Sequence, residues 1–288
     1  MSMKNAANEP VWAVASGKGG TGKTTVAVNL ACVLGPEVRL IDCDVEEPDA
    51  RLFLPGELTE TVGVNTRVPE IDQEACDYCG VCARFCQFNA LAVAGSVAMV
   101  FPELCHGCRG CSMVCPQRAI RMVSHRVGEV NTIRTAAGWT LVEGVLDVGH
   151  PSAVPVIEAV RRHRIPEVLT LLDAPPGTSC SAVATLRDVD AVVLVTEPTP
   201  FGLNDLRLIV ELVRRMNLPF GVVVNRTRPG NRLIENYCKE EGIPVWMEIE
   251  EDRRYAEVMA RGRILTEAFP ELRDRFVRCA EKLREVTR

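Results

Sequence analysis

Short apolar runs alternate with amphipathic stretches along most of the chain, a pattern that indicates buried strands alternating with helices. The first run covers residues 11–15, and a helix-prone run over residues 26–34 follows it. The same pattern predicts later strands at residues 38–41, 168–172, 191–196, 220–224 and near Val245. It predicts later helices at residues 151–163, 203–216, 232–240, 254–261 and 271–285. This alternation predicts an α/β fold with a doubly wound, mainly parallel sheet.

The alternation stops in the middle of the chain. From about residue 51 to residue 73 few clear periods are visible, and a cysteine-rich stretch follows. Short alternating runs in residues 121–148 predict a few strands that lead back to the sheet. We therefore expect a small inserted α+β domain at residues 61–125, between the first part of the main domain, residues 1–60, and its second part, residues 126–288.

Charge and hydropathy exclude several classes of protein. The 288 residues are 47% hydrophobic and 25% charged, with a net charge of -5, which disfavours a general nucleic-acid binder. The ten residues before Val11 contain no apolar signal segment, and the longest uncharged stretch, residues 85–102, is too polar for a membrane span. The last predicted helix has Leu272, Phe276 and Leu283 on one face and is expected to pack on the core. We expect a cytoplasmic protein without nucleic-acid partner or membrane span.

A phosphate-binding loop follows the first predicted strand. The pattern G-x-x-x-x-G-K-[ST] runs from Gly17 to Thr24, between that strand and the first helix. Its backbone N–H groups and the helix start provide positive potential for the phosphates of ATP or ADP. Lys23 is predicted to reach the β- and γ-phosphates, and the Thr24 hydroxyl to bind Mg²⁺. The predicted nucleotide contacts are Gly17, Lys18, Gly19, Gly20, Thr21, Gly22, Lys23, Thr24 and Thr25.

A second lysine, Lys18, lies inside this loop. The stretch G-K-G-G-T-G-K-T-T resembles the deviant Walker A loop of the MinD/Mrp/NifH class of P-loop ATPases. The resemblance implies Mg²⁺-dependent ATP hydrolysis and an ATP-dependent dimer, either a homodimer or a heterodimer with a paralogue. It also implies that Lys18 reaches across the dimer interface to the partner's nucleotide.

Acidic residues end two predicted strands. Asp42 and Asp44 follow the strand at residues 38–41, and Asp173 follows four apolar positions in a Walker B pattern. The carboxyl ends of strands in such a sheet face the ligand crevice. Asp173 is predicted to hold Mg²⁺ through water, and the Gly177 N–H to sense the γ-phosphate.

The family resemblance extends to these strand ends, because D-A-P-P-G-T after residue 172 is similar to the family's second switch. It implies that Asp44 orients the attacking water and that Asp42 lies nearer Mg²⁺. It also implies that Asn225, at the end of a later strand, hydrogen-bonds adenine. Turn formation is the alternative role for these aspartates and for the asparagine.

Eight of the thirteen cysteines form two runs of the pattern C-x₂-C-x₂-C-x₃-C. Each cysteine of the first run has its counterpart in the second run 29 positions later. Regular spacing of this kind favours metal ligation in a reducing compartment over disulfides. The array resembles a bacterial two-cluster ferredoxin, although Gln87 stands where that pattern has the proline that Pro116 keeps. In this pattern the fourth cysteine of each run ligates the other cluster. The implied sets for two [4Fe–4S] clusters are Cys76, Cys79, Cys82 and Cys115, and Cys105, Cys108, Cys111 and Cys86.

Three functions and one metal alternative remain open at this point. The first is an ATPase that couples nucleotide-driven dimer closure to electron transfer through two [4Fe–4S] clusters, with a redox protein as partner. The second is an iron–sulfur cluster carrier or scaffold, which the lack of a C-x-x-C pair outside the array disfavours. The third is a MinD-like positioning ATPase. Two structural zinc sites are the alternative to the clusters, and Cys180 is either a packing residue or a ligand of a bridging cluster.

Overall fold

The computed structural model describes residues 9–287. The first eight residues, which belong to the stretch predicted to lack a secretory signal, and Arg288 lie outside it. Its strands are β1 Val11–Ala15, β2 Arg39–Asp42, β3 Gly56–Ile71, β4 Leu91–Ala94, β5 Val97–Val100, β6 Ile120–Thr135, β7 Thr140–Leu146, β8 Thr170–Asp173, β9 Ala191–Thr196, β10 Phe220–Thr227 and β11 Val245–Glu250.

Eleven α-helices lie between or after these strands in the described residues. They are α1 Lys23–Leu34, α2 Ala50–Phe53, α3 Val81–Phe85, α4 Gly110–Met113, α5 Val154–Arg161, α6 Cys180–Leu186, α7 Pro200–Arg215, α8 Leu233–Glu240, α9 Arg253–Met259, α10 Leu265–Ala268 and α11 Pro270–Val286. No helix in residues 9–287 combines the length and the apolar character that crossing a membrane requires.

Nine strands form one sheet in the order β11-β10-β9-β1-β8-β2-β7-β6-β3. The seven strands from β11 to β7 run parallel, and β6 and β3 continue the sheet antiparallel. The predicted mainly parallel α/β sheet is confirmed. Because β1 lies between β8 and β9, the loop that follows it opens at the centre of the carboxyl edge, where such sheets bind ligands.

Helices cover both faces of the sheet, so its central strands are buried on both sides. Along β1, Trp12 and Val14 belong to one apolar core and Ala13 and Ala15 to the other. The C-terminal helix α11 packs on the first core through Leu272, Phe276 and Leu283, as its apolar face predicts. Burial on both faces explains why these strands are continuous apolar runs in the sequence.

Residues 51–73, where few clear periods are visible in the sequence, contain a long regular strand. Strand β3 is 16 residues long and pairs antiparallel with β6 over its whole length. Residues 57–63 are all exposed, so they lack the alternation that marks a half-buried strand. Both strands continue through the predicted domain boundaries at residues 60 and 125, and the cysteine-bearing segment, residues 72–119, lies at the far end of this hairpin.

The 29-residue sequence repeat is also a repeat of backbone conformation. Helices α3 and α4 occupy equivalent positions in the two halves. Three pairs of positions, each 29 residues apart, have a positive φ: Tyr78 and Gly107, Gly80 and Arg109, and Asn89 and Arg118. The Phe101 N–H donates to Ala90 O at 2.9 Å, and the Asp72 N–H donates to Ala119 O at 2.8 Å. The two halves are therefore related by an approximate twofold symmetry.

Candidate functional site

The predicted phosphate-binding loop connects β1 to α1 and is held by close backbone contacts. Gly20 and Gly22 have φ values of 76° and 93°, which favour glycine. A Cβ atom on Gly22 would lie 2.3 Å from Asn225 Nδ2, and one on Gly17 would lie 2.0 Å from the Asp205 carbonyl oxygen. These glycines are required by the fold of the loop itself, apart from any role with phosphate.

Two loop glycines provide a matched test of this packing. We expect Gly17→Ala to reduce the free energy of unfolding by about 1–3 kcal/mol or more, because the added methyl group overlaps a backbone oxygen that cannot move independently. Gly19→Ala meets no atom within 4 Å and is expected to change stability by less than about 0.5 kcal/mol. Urea unfolding without nucleotide measures both, and equal stabilities of the two variants would contradict the prediction.

Lys23 is buried among carboxylates at the base of the loop. Its Nζ atom lies 2.8 Å from Asp173 Oδ1 and 3.4 Å from Asp44 Oδ2. Burial opposes the charged form of Lys23, but Asp173 and Asp44 outweigh it and raise its pKa above the ordinary value. Burial also raises the pKa of Asp44, to about 6, although Lys23 opposes this shift. The structure thus brings three of the predicted catalytic residues, Lys23, Asp44 and Asp173, into one charged cluster.

Asp42 and Asp173 are adjacent in the sheet but differ in their hydrogen bonds. Asp42 Oδ1 accepts from the Asp44 N–H and Oδ2 accepts from the Ala50 N–H, each at 3.0 Å. Within residues 9–287, the buried Asp173 Oδ2 has no hydrogen-bond partner. Asp42 therefore shapes the loop after β2, whereas Asp173 has an oxygen free for a ligand. The role of Asp42 near Mg²⁺ stays a prediction. The free oxygen makes Asp173 the better candidate for binding Mg²⁺.

Gly177 and Asn225 both bond to the chain around the loop. The Gly177 N–H donates to Ser16 O at 2.8 Å, so this peptide would have to break that bond before it could contact a phosphate. Asn225 Nδ2 donates to Thr21 O at 2.8 Å, which ties the end of β10 to the loop. The roles of Gly177 in phosphate sensing and of Asn225 in adenine binding stay predictions.

Lys18 has an ionic partner that the sequence analysis missed. Its Nζ atom lies 2.5 Å from Glu197 Oε1, and Arg226 Nη1 lies 3.1 Å from Glu197 Oε2. Glu197 directly follows β9, so the rule that indicated Asp42 and Asp173, a carboxylate at the carboxyl end of a strand, could have indicated it too.

The structure brings the first predicted set of cysteines together. Cys76, Cys79, Cys82 and Cys115 line one small cavity at the end of the β3–β6 hairpin. In the second set, Cys105 lies near Cys108 and Cys86, and Cys111 lies near Cys105 and Cys108. Backbone N–H groups donate to three sulfurs at 3.4 Å: Tyr78 to Cys76, Ala90 to Cys86 and Gly107 to Cys105.

Among residues 9–287, no three His, Cys, Asp or Glu side chains converge closely enough to hold a single metal ion. Burial raises the pKa of the Cys111 thiol to about 11, so ligation there would release a proton.

The other five cysteines lie outside the array. Cys180 is exposed at the first residue of α6, and the four buried ones are Cys32, Cys43, Cys238 and Cys279.

A glycine-rich loop between β1 and α1, with buried carboxylates at neighbouring strand ends, defines the class of P-loop nucleotide-binding proteins. The sequence profile of the CobQ/CobB/MinD/ParA nucleotide-binding domain family matches residues 12–265. The chain belongs to this family, and the match spans the cysteine-bearing hairpin as well as the core.

Several known proteins are similar to the chain. An uncharacterized protein of Methanocaldococcus jannaschii is 29% identical over 268 residues, 86% of this chain and 95% of the relative. The iron–sulfur cluster carrier protein of Pyrococcus abyssi is 26% identical over 219 residues, 74% of this chain and 59% of the carrier. The septum site-determining protein MinD of Pyrococcus horikoshii, solved with Mg-ADP, shares the fold with a TM-score of 0.57 at 20% identity and 96% coverage of both chains.

Proposed function

We propose that the protein is a Mg²⁺-dependent ATPase that couples closure of an ATP-dependent dimer to electron transfer through two [4Fe–4S] clusters. The observation that carries this proposal is the attachment of the eight-cysteine segment to the nucleotide sheet. Strands β3 and β6 bear that segment, and they extend the same sheet at whose carboxyl edge Lys23, Asp44 and Asp173 cluster. In this proposal residues 61–125 act as a ferredoxin-like insert within the ATPase chain.

The way in which the cysteines are grouped in space fits two such clusters. The four sulfur-bearing residues around the cavity are three from the first run and the fourth from the second run, the exchange that two-cluster ferredoxins use. Bound [4Fe–4S] clusters would accept and pass on single electrons. The N–H groups of Tyr78, Ala90 and Gly107 would stabilise the negative charge of the ligating sulfurs.

A chain of polar contacts supports coupling between the two sites. Arg51, in the helix after the Asp42 loop, lies 3.6 Å from the buried Glu143 Oε1. Asn131 Nδ2 on β6 donates to Glu143 Oε1 at 3.4 Å, and Thr61 Oγ1 on β3 donates to Asn131 Oδ1 at 2.7 Å. A movement of the loop after β2 on ATP binding would therefore be transmitted to both strands of the hairpin.

The test of the proposed function is reciprocal linkage. If ATP changes the reduction potential, the redox state must change ATP affinity by the same free energy. We expect ATP affinities of the anaerobic protein, oxidised and then reduced with dithionite, to differ about fivefold or more. Equal affinities and equal potentials with and without ATP would exclude thermodynamic coupling.

Two threonines on β3 give a matched control for the coupling route. Thr61→Val removes the hydrogen bond to Asn131, whereas Thr59→Val removes a similar bond, of 3.0 Å, to Thr132 O. Only Thr61→Val is expected to reduce the difference between the two ATP affinities. Equal effects of both variants would show that the polar chain does not carry the coupling.

Lys18→Ala tests the dimer part of the proposal. We expect this variant to bind ATP with nearly normal affinity but to lose ATP-dependent dimerisation and turnover, because the ammonium group acts on the partner's nucleotide. Isothermal titration, analytical ultracentrifugation and phosphate release measure the three properties separately. A Lys18→Ala protein that hydrolyses ATP at the normal rate would refute the role of Lys18.

An iron–sulfur cluster carrier is the second candidate, and the similarity to the Pyrococcus abyssi carrier favours it. The two candidates differ in the fate of the iron. A carrier would lose its clusters to an apo-protein acceptor in an ATP-dependent transfer assay, whereas an electron-transfer protein would keep them through repeated turnover.

A further inference from the structure

Glu197 lies between two cations at the edge of the nucleotide site. Its Oε1 atom is 2.5 Å from Lys18 Nζ and its Oε2 atom is 3.1 Å from Arg226 Nη1. The Glu197 side chain is only 14% exposed, whereas those of Lys18 and Arg226 are 32% and 50% exposed. The carboxylate is therefore the fixed member of the group, and the two cations reach it from more open positions.

We propose that Glu197 is a latch that holds Lys18 within its own subunit until the nucleotide of a second copy competes for the ammonium group. The proposal rests on the proposed action of Lys18 across the dimer. A lysine engaged by a carboxylate of its own chain cannot at the same time contact a phosphate of the partner. The ion pair must therefore break before Lys18 can act across the interface.

Arg226 makes this release possible at low cost. A largely buried carboxylate that loses its only counter-ion is strongly destabilised. When Lys18 leaves, Glu197 keeps the ion pair with Arg226, so no carboxylate is left unpaired. Arg226 directly follows Asn225, whose side chain is bonded to Thr21 O in the phosphate-binding loop. Arg226, the cation that stays with Glu197, therefore lies beside the phosphate-binding loop that carries Lys18.

This arrangement predicts opposite effects of two substitutions. Glu197→Gln removes the charge that retains Lys18, so the ATP concentration for half-maximal dimerisation should fall about two- to fivefold. Arg226→Gln leaves Lys18 as the sole counter-ion of Glu197, so the same concentration should rise. Glu211→Gln, which removes an exposed ion pair with Arg215 on α7, is the control and should change neither value.

Dimerisation is measured by analytical ultracentrifugation, and the state of Lys18 by its acetylation rate in nucleotide-free protein, mapped by mass spectrometry. Lys18 acetylation should be faster in Glu197→Gln and slower in Arg226→Gln than in the wild type. Unchanged acetylation in Glu197→Gln, or an unchanged or higher ATP requirement, overturns the latch. If the wild type fails to dimerise with ATP, the proposed function fails, and the acetylation rates alone decide whether Glu197 retains Lys18. Thermal melting of each variant checks its folding.

Discussion

Replacement of Lys23 by alanine is expected to weaken ATP binding roughly 10- to 100-fold, the size of one or two charge-assisted hydrogen bonds. Turnover should fall about 100- to 1000-fold, as when one donor to a developing charge is removed. The Lys23 side chain is 7% exposed and lies 2.8 Å from Asp173 and 3.4 Å from Asp44. Lys23 is therefore placed where phosphate oxygens would meet the loop. In residues 9–287 no other lysine forms an ion pair with Asp44 or Asp173 that could replace it.

The same variant should also be less stable without nucleotide. Removing one partner of a buried ion pair costs about 3–5 kcal/mol, because Asp173 and the nearby Asp42 are buried without a counter-ion. Burial and repulsion from Asp173 already raise the pKa of Asp42 in the wild type. A carboxyl group whose pKa is raised in the folded state stabilises the fold at low pH and loses this contribution as pH rises. The deficit of Lys23→Ala should thus be smaller at pH 5 than at pH 8.

Lys239→Ala is the control for both measurements. Lys239 is exposed near the end of α8, and its replacement should leave ATP affinity and stability within about 0.5 kcal/mol of the wild type. Isothermal titration and urea unfolding at the two pH values provide the data. ATP affinity of Lys23→Ala equal to that of Lys239→Ala would contradict the assignment of the loop.

Cys115→Ser is expected to lose one cluster and keep the other. Cys115 belongs to the second cysteine run but lines the cavity of Cys76, Cys79 and Cys82 from the first run. After anaerobic reconstitution, iron per chain should therefore fall from about eight to about four atoms, with a matching loss of visible absorbance. Cys86→Ser should remove the other cluster instead. Because the predicted nucleotide residues lie outside the cysteine-bearing segment, ATP turnover should persist in both variants.

The control for this experiment is Cys32→Ser. Cys32 is a buried residue of α1 that belongs to neither predicted set, and its sulfur lies 4.0 Å from Glu267 Oε1. It should retain the full iron content. If Cys115→Ser kept all its iron, the exchange of fourth cysteines between runs would be wrong. If metal analysis found zinc instead of iron, the assignment of both cysteine sets to [4Fe–4S] clusters would be wrong.

Local sequence signals determined much of the fold and of the candidate site. Strand β9 at residues 191–196 was predicted with its exact bounds, because six apolar and β-branched residues in a row are buried on both faces. The loop from Gly17 to Thr24 was recognisable because phosphate binding requires a fixed spacing of glycines, lysine and hydroxyl. Spacing also predicted that Cys115 of the second run lies with the first three cysteines of the first run, and these four residues line one cavity.

Other features were decided only by the tertiary structure. Strand β3 has exposed residues on both faces at 57–63, and its identity comes from pairing with β6 rather than from its own pattern. The two carboxylate oxygens of Asp42 accept hydrogen bonds from the backbone of the following loop and of the first residue of α2, which its position at a strand end does not reveal. Lys18 and Glu197 are 179 residues apart and meet only because β9 is the neighbour of β1 in the sheet. Periodicity and spacing report what each segment needs locally, whereas contacts between distant side chains depend on the order in which the strands assemble.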